Sequence, residues 1–302
     1  MRRTHRFLGL ESAVVAFAVF AGAQAWGAPP TNAPKNAGKK TANDIPTVTL
    51  SPGLKEKLKS TDPAVVQGAL DELRIAGRAG ASLAPEVASL LDRGTTLPLS
   101  IAALDTLGDV EVEGTSASIA PYTKHRVDRV RRAAVRALAK TKGPAASAAL
   151  RRSLSDPDAQ VRGFAASGLG GIKAHDAIGD LFLALDHRVG EAAASIGQIC
   201  NAAECIQFSD HLGRQPFDVM TGGFDQILFR PTAEVDDDTK VKIVGKLREL
   251  GTKEVNAFLR DVQKRWPPKG SQRVKYAVDQ AVAATGGGSS ITPDDASKGG
   301  SR

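Results

Sequence analysis

The sequence predicts an all-α protein, an α-solenoid of about five to six helical hairpins with one irregular inserted segment. Segments with apolar residues at helical spacing recur along the chain. Each segment ends with an aliphatic residue, which we call its closing residue. Aromatic residues are only 5% of a chain that is 42% hydrophobic, which favours thin, closely packed helices. The steps between closing residues are 34, 31, 31, 27 and 51, for Leu73, Leu107, Leu138, Leu169, Ile196 and Leu247. The middle steps fit a two-helix repeat of roughly 30 residues.

The clearest unit, "DPDAQVRGFAASGLGGI", runs from Asp156 to Ile172. Asp156 and Pro157 predict a helix start, because an N-cap aspartate accepts from free backbone N–H groups and proline at N1 has a helical φ. Val161 and Leu169 then recur at helical spacing, with small residues between them that let another helix approach. A second helix, "AHDAIGDLFLAL", follows. The unit is therefore a hairpin whose apolar seam only a neighbouring hairpin can bury.

This unit resembles a HEAT repeat of the short bacterial type. The positions that match are Asp156-Pro157, Val161-Arg162, Ala165-Ala166 and Leu169-Gly170. The segment "DRVRRAAVRALAK" is the next best copy but lacks the Asp-Pro cap, and the other copies are degenerate. The resemblance covers most of residues 61–285, strongly only 124–186. It implies an α-solenoid but no particular reaction, because the same repeat serves scaffolds, adaptors and a few enzymes.

The 51-residue step contains the irregular segment, residues 197–238, which holds four of the ten phenylalanines of the chain. Two interpretations stay open for it. The segment either fills the core of the solenoid itself, or it forms an exposed apolar element that binds a partner. The candidate residues of such an element are Phe217, Met220 and Phe224.

The two cysteines of the chain, Cys200 and Cys205, lie in the same segment. In a reducing compartment they would be free core thiols, whereas export favours a disulfide between them. Positions five apart on one continuous helix point about 140° apart and cannot bond. A disulfide therefore requires a helix break near residues 201–204.

The first 25 residues are typical of a secretory signal peptide, with a basic start, an apolar run and the small-x-small sequence "AQA". The alternative is a membrane anchor, but the uninterrupted apolar stretch within these residues is shorter than the roughly 20 residues that a transmembrane span needs. Residues 26–47 have the composition of a disordered tether, and residues 286–302 that of a disordered tail. The solenoid is then expected at 48–285, in a periplasmic or secreted protein with no transmembrane span after cleavage.

A basic run is the most suggestive feature of the surface. Residues 124–152 contain ten Lys and Arg against one acid, Asp128, whereas the chain without residues 1–25 has a net charge of only +5. One interpretation is structural, with the charges offset by acids of a neighbouring repeat such as Asp105 or Asp109. The other is a face for an anionic partner. The candidate residues of that face are Arg126, Arg129, Arg132, Arg136, Arg151 and Arg152.

The sequence contains no H-E-x-x-H or G-x-S-x-G motif, and we expect no catalytic, cofactor-binding or metal-binding residues. The expected function is a non-enzymatic scaffold or adaptor that binds an unknown protein partner through the solenoid surface. The alternatives are a HEAT-like enzyme of the lyase type and a binder of anionic envelope material through the basic run. Export argues against nucleic acid as a partner.

Overall fold

A computed structural model describes residues 50–286, which are helical with no β-strand. The expected signal peptide and tether lie outside the described residues, as does the expected tail apart from Gly286. None of the described helices is both long and apolar enough to cross a membrane. The α-helices are α1 Leu54–Lys57, α2 Pro63–Ala76, α3 Ala84–Asp92, α4 Leu97–Val110, α5 Ser116–Ile119, α6 Asp128–Thr141, α7 Gly143–Ser153, α8 Ala159–Gly171, α9 Ile178–Asp186, α10 Glu191–Ile199, α11 Ala202–Ser209, α12 Phe217–Phe229, α13 Asp237–Leu250, α14 Lys253–Arg265 and α15 Gln272–Gly286. Four short 3₁₀ helices lie between them, at Gly77–Leu83, Glu113–Thr115, Ala120–Lys124 and His175–Ala177.

The helices form two layers of a solenoid. Helices α2, α4, α6, α8, α10 and α12 pack one against the next in a first layer, and α14 continues this row. The helix that follows each of them lies in the second layer, where α3 contacts α5, α5 contacts α7, α11 contacts α13 and α13 contacts α15. The closing aliphatics of the first-layer helices, such as Leu107, Leu138 and Leu169, have no exposed surface. The predicted α-solenoid is thus confirmed.

Small residues set the close spacing of the first layer. A Cβ atom on Gly197 of α10 would lie 2.3 Å from the carbonyl oxygen of Gly223 in α12. A Cβ atom on Gly168 of α8 would lie 2.9 Å from Cβ of Ala139 in α6. These separations are shorter than non-bonded atoms tolerate, so the two helix pairs can approach this closely only with glycine at these positions.

The long 51-residue step contains a further hairpin rather than an insertion that interrupts the stack. Helix α12 lies in the first layer, and its buried Ile227 follows Ile196 by 31 residues, the regular period. Helix α13, which carries Leu247, lies in the second layer, so Leu247 is not equivalent to the other closing residues. This hairpin could not be recognised from the sequence, because α12 has Phe, Met and Gly where the other repeats have alanine and aliphatic residues.

The helix start predicted at Asp156 and Pro157 is wrong by two residues. Helix α8 begins at Ala159, and its N-cap is Asp158, whose side chain accepts from the N–H of Val161. Asp156 instead accepts from the N–H of Asp158 and pairs with an arginine of the preceding hairpin. At α2 the Asp-Pro pattern does cap the helix, because Asp62 accepts from the N–H of Ala64 and Pro63 occupies N1.

Candidate interaction surface

Half of the six candidate basic residues are held in ion pairs between neighbouring hairpins. Arg132 contacts Asp158 at 2.5 Å and also Asp128 at 2.7 Å. Arg136 contacts Asp105 at 3.0 Å. Arg151 contacts Asp176 and Asp180 at 3.2 and 2.5 Å. Outside the six, Lys140 pairs with Asp109 at 2.7 Å. The acids named from the sequence, Asp105 and Asp109, thus offset part of the basic run.

The ion pair at Asp158 also perturbs its titration. The hydrogen bond from the Arg132 guanidinium, followed by that from the N–H of Val161, lowers the pKa of Asp158 to about 2. Both bonds stabilise the carboxylate and neither stabilises the carboxylic acid. Asp158 is therefore the N-cap of its own helix, α8, and also the counter-ion of Arg132 in the preceding hairpin.

Arg131 and Arg162 occupy equivalent positions of successive hairpins. The guanidinium of Arg131 donates to the carbonyls of His125 and Arg126 at 3.1 and 3.4 Å. That of Arg162 donates in the same way to the carbonyls of Asp156 and Pro157 at 2.8 and 3.1 Å. Each arginine therefore closes the turn that precedes its own helix.

Arg131 has a further role between hairpins. Its Nε and Nη2 donate to the two carboxylate oxygens of Asp156 at 2.8 and 2.9 Å. The side chains of this pair are only 13% and 8% exposed, so the pair belongs to the interior of the stack.

The other three candidate residues, Arg126, Arg129 and Arg152, have exposed side chains with no acidic partner among residues 50–286. Arg129 lies on α6 and does not line the cavity that the other two share. Arg126 and Arg152 line one open cavity of about 380 Å³, together with Lys124. This cavity, which we call the basic cavity, lies between the turn that precedes α6 and the turn that precedes α8.

Lys124 was counted in the basic run but was not among the candidate residues. Lys124 and Arg126 lie in the turn that precedes α6, and Arg152 lies in the last turn of α7, the helix that follows α6. Helix α7 packs on α6 and on the 3₁₀ helix Ala120–Lys124, and this packing brings the three side chains around one cavity. The repeat period of 31 residues was the available signal, because it places residues near 124 beside residues near 155.

The candidate apolar residues pack into the core. Met220 and Phe224 have no exposed surface, and the Phe224 ring lies 5.0 Å from that of Phe208. Phe217 is partly buried, and its ring lies 5.8 Å from that of Phe258 on α14. Met220 and Phe224 thus stabilise the packing of α12 and offer no surface to a partner.

Cys200 and Cys205 form a disulfide in the structure, with their sulfur atoms 2.09 Å apart. The helix breaks between them, because α10 ends at Ile199 and α11 begins at Ala202. A capping box fixes the new start: Asn201 accepts from the N–H of Glu204, whose carboxylate accepts from the N–H of Asn201. The break expected near residues 201–204 therefore lies at 200–201.

Within residues 50–286, no group of three or more His, Cys, Asp and Glu side chains could hold a metal ion.

A family model described as HEAT repeats matches residues 84–170 and 119–198. Residues 84–198 carry HEAT repeats. The basic cavity and the ion pairs around it lie inside this part of the chain. The irregular segment lies almost wholly outside it, in keeping with the unusual composition of α12. No curated protein matches the chain in sequence.

Several solved structures resemble the chain at low sequence identity. The complex of CpcE and CpcF of phycocyanin lyase from Nostoc sp. PCC7120 is 18% identical, with a TM-score of 0.43 over 83% of this chain and 99% of that one. A designed armadillo repeat protein is 16% identical, with a TM-score of 0.39 over 78% and 99% of the two chains. An engineered protein is 17% identical, with a TM-score of 0.44 over 79% of this chain and 69% of the other.

Proposed function

We propose that this protein is an exported, non-enzymatic scaffold or adaptor that binds a protein partner through the surface of its solenoid. The single observation that carries the proposal is the basic cavity, whose rim cations are unpaired among the described residues while several arginines near it are held in ion pairs. Stacked hairpins offer a long continuous surface, and such surfaces are used for protein recognition. The signal-like sequence of residues 1–25 supports a periplasmic or secreted location.

Binding of anionic envelope material is the second candidate function, and the same cavity favours it. Lys124, Arg126 and Arg152 would attract any anionic group, including one on a lipid or an acidic glycan. The two candidates differ in the shape and extent of the anion that they require.

The scaffold function is tested by capture from an envelope extract. The full-length chain with a carboxyl-terminal tag is expressed in the host, purified from the exported fraction and used as bait. We expect one protein at near-stoichiometric amount, absent when a tagged unrelated solenoid is the bait. Capture of no protein in stoichiometric amount would contradict the scaffold function. Conversion of a small molecule in the extract by the purified chain would support the lyase-type alternative.

Export is tested on the same material. Amino-terminal sequencing of the exported chain should begin at Trp26, directly after the "AQA" sequence. A chain found only inside the cell with its first residues intact would contradict the export part of the proposal.

A further inference from the structure

The basic cavity concentrates positive charge that the protein does not neutralise. Its rim holds Lys124, Arg126 and Arg152, all exposed and without an acidic partner among the described residues. The one acid in its lining is Asp156, whose carboxylate is 8% exposed. Both oxygens of Asp156 accept from Arg131, and one also accepts from the N–H of Asp158. Asp156 thus balances Arg131, and three cations are left on the rim.

His125 adds a donor to the same lining. Its Nδ1 accepts from the N–H of Val127 at 3.1 Å, so the proton of the neutral ring is on Nε2. The lining therefore combines three cations with the N–H of an imidazole, and every one of these groups can donate to an anion. A carboxylate, which only accepts, complements this set.

Several of the arginines near the cavity are neutralised within the protein. Beside the cavity, Arg132, Arg136 and Arg151 are each matched by acids of a neighbouring hairpin. A membrane surface presents many anions in one plane and is best bound by a broad basic face. A recess between two turns, with paired arginines beside it, instead fits a single anionic group that projects from a chain.

We infer that the basic cavity receives the carboxylate of an aspartate or glutamate in an exposed acidic segment of the protein partner. This inference rests on the proposed scaffold function, whose partner it describes by chemistry. Lys124 and Arg126 contact the acidic segment from the turn that precedes α6 and Arg152 from the last turn of α7, so the site depends on the packing of α7 beside this turn.

The test uses a fluorescein-labelled octaglutamate peptide as the probe and fluorescence anisotropy as the measurement. The test variant carries Lys124→Gln, Arg126→Gln and Arg152→Gln. The control variant carries Arg214→Gln, Lys242→Gln and Lys253→Gln, three exposed cations away from the cavity and without ion pairs among the described residues. Both variants lower the net charge by three, so nonspecific attraction falls equally in both. All six side chains are exposed, and the melting temperatures of both variants should match that of the wild type.

We expect the peptide to bind the wild type and the control with similar affinity and the test variant about tenfold more weakly. Added NaCl should weaken the wild-type complex and reduce the difference in affinity between the wild type and the test variant. Equal loss in both variants, or no loss in the test variant, would overturn the inference. Binding to phosphatidylglycerol vesicles but not to the peptide would also overturn it and would favour the envelope-binding function. A single Arg152→Glu variant, which should abolish peptide binding, provides a second measurement should the triple variant melt early.

Failure of this inference is separable from failure of the scaffold function. If the test variant captures the same envelope protein as the wild type, the cavity is not the docking site and the scaffold function stands. If the wild type captures no protein, the scaffold function fails, and the anisotropy measurement still decides whether the cavity binds carboxylates.

Discussion

The pairing of Arg131 with Asp156 shows how single residues couple neighbouring hairpins. The sequence showed Arg131 at a repeated position and Asp156 beside a proline, but it could not show that the two side chains meet. They are 25 residues apart, and several acids lie within one repeat period of every arginine in the basic run. Which cations are paired depends on the helix rotation within the stack, and the rotation follows from packing rather than from local sequence.

We expect Arg131→Met to lower the free energy of unfolding by about 3 kcal/mol, because it leaves Asp156 as a buried carboxylate without its counter-ion. Arg162→Met is the matched control. Arg162 makes the same bonds to turn carbonyls but has no ion pair in the described structure, so its loss should cost about 1 kcal/mol. Urea denaturation of both variants checks the difference. Equal costs would show that the ion pair adds nothing to the carbonyl bonds.

The lowered pKa of Asp158 predicts a loss of stability in acid. Its pKa is about 2 in the folded protein, against 3.8 as the ordinary value. Because the folded-state pKa is the lower one, the charge on Asp158 stabilises the fold above about pH 4, and this contribution disappears as the pH falls towards 2. Asp158→Asn keeps an N-cap acceptor but removes the charge. Its melting temperature should therefore depend less on pH between 4 and 2 than that of the wild type, and parallel curves would contradict the assignment.

At the scale of the helices, the regular hairpins could be predicted from the sequence and the hairpin of α12 could not. Alanine and aliphatic residues at helical spacing mark α4, α6 and α8, because these helices bury one stripe against both neighbours. Helix α12 buries aromatic and sulfur-containing side chains and contacts α10 through Gly223. It therefore packs in the first layer as the other helices do, but with different residues. Composition alone therefore suggested an insertion where the stack in fact continues.

The space around two glycines, one at the contact between α10 and α12 and one on α13, predicts opposite effects for their substitution by alanine. Gly197→Ala would place its Cβ 2.3 Å from the carbonyl oxygen of Gly223, so we expect the protein to lose about 1–3 kcal/mol of stability. Gly245→Ala on α13 has no neighbouring atom within 4 Å of the new Cβ and should gain about 0.5–1 kcal/mol. Thermal denaturation of both variants checks the pair, and a tolerated Gly197→Ala would show that the two helices can move apart at little cost.

The disulfide joins α10 to α11 and closes a very small loop. We expect protein from the exported fraction to contain the Cys200–Cys205 bond, seen as one cross-linked peptide in non-reducing mass mapping. Replacing both cysteines by serine should lower stability by at most about 2 kcal/mol, because a loop this short restricts the unfolded chain only slightly. Two alkylatable thiols in the exported protein would refute the prediction.

For the whole molecule, the solenoid could be predicted because a repeat period is visible without knowledge of any contact. The basic cavity could be predicted only in part. The run of cations was visible, but its division into ion-paired arginines and the rim of the cavity required the acids of adjacent hairpins to be placed. Interactions in this fold connect each hairpin to its neighbours, as the ion pairs of Arg136 with Asp105 and of Lys140 with Asp109 illustrate across 31 residues.

Nearest-neighbour stacking predicts that damage in the middle of the solenoid stays local. Leu138 on α6 has no exposed surface, so Leu138→Asp buries an unpaired charge and should open α6 and the helices that pack on it, α4 and α8. Hydrogen exchange measured by mass spectrometry should show faster exchange in residues 97–171, while α14 and α15 keep the protection they have in the wild type. Leu183→Asp is the matched control, because Leu183 on α9 is 55% exposed and its substitution should leave exchange unchanged. If α14 and α15 lost protection together with α6 or before it, the solenoid would unfold as a single cooperative unit, and the basic cavity would then depend on every hairpin of the stack.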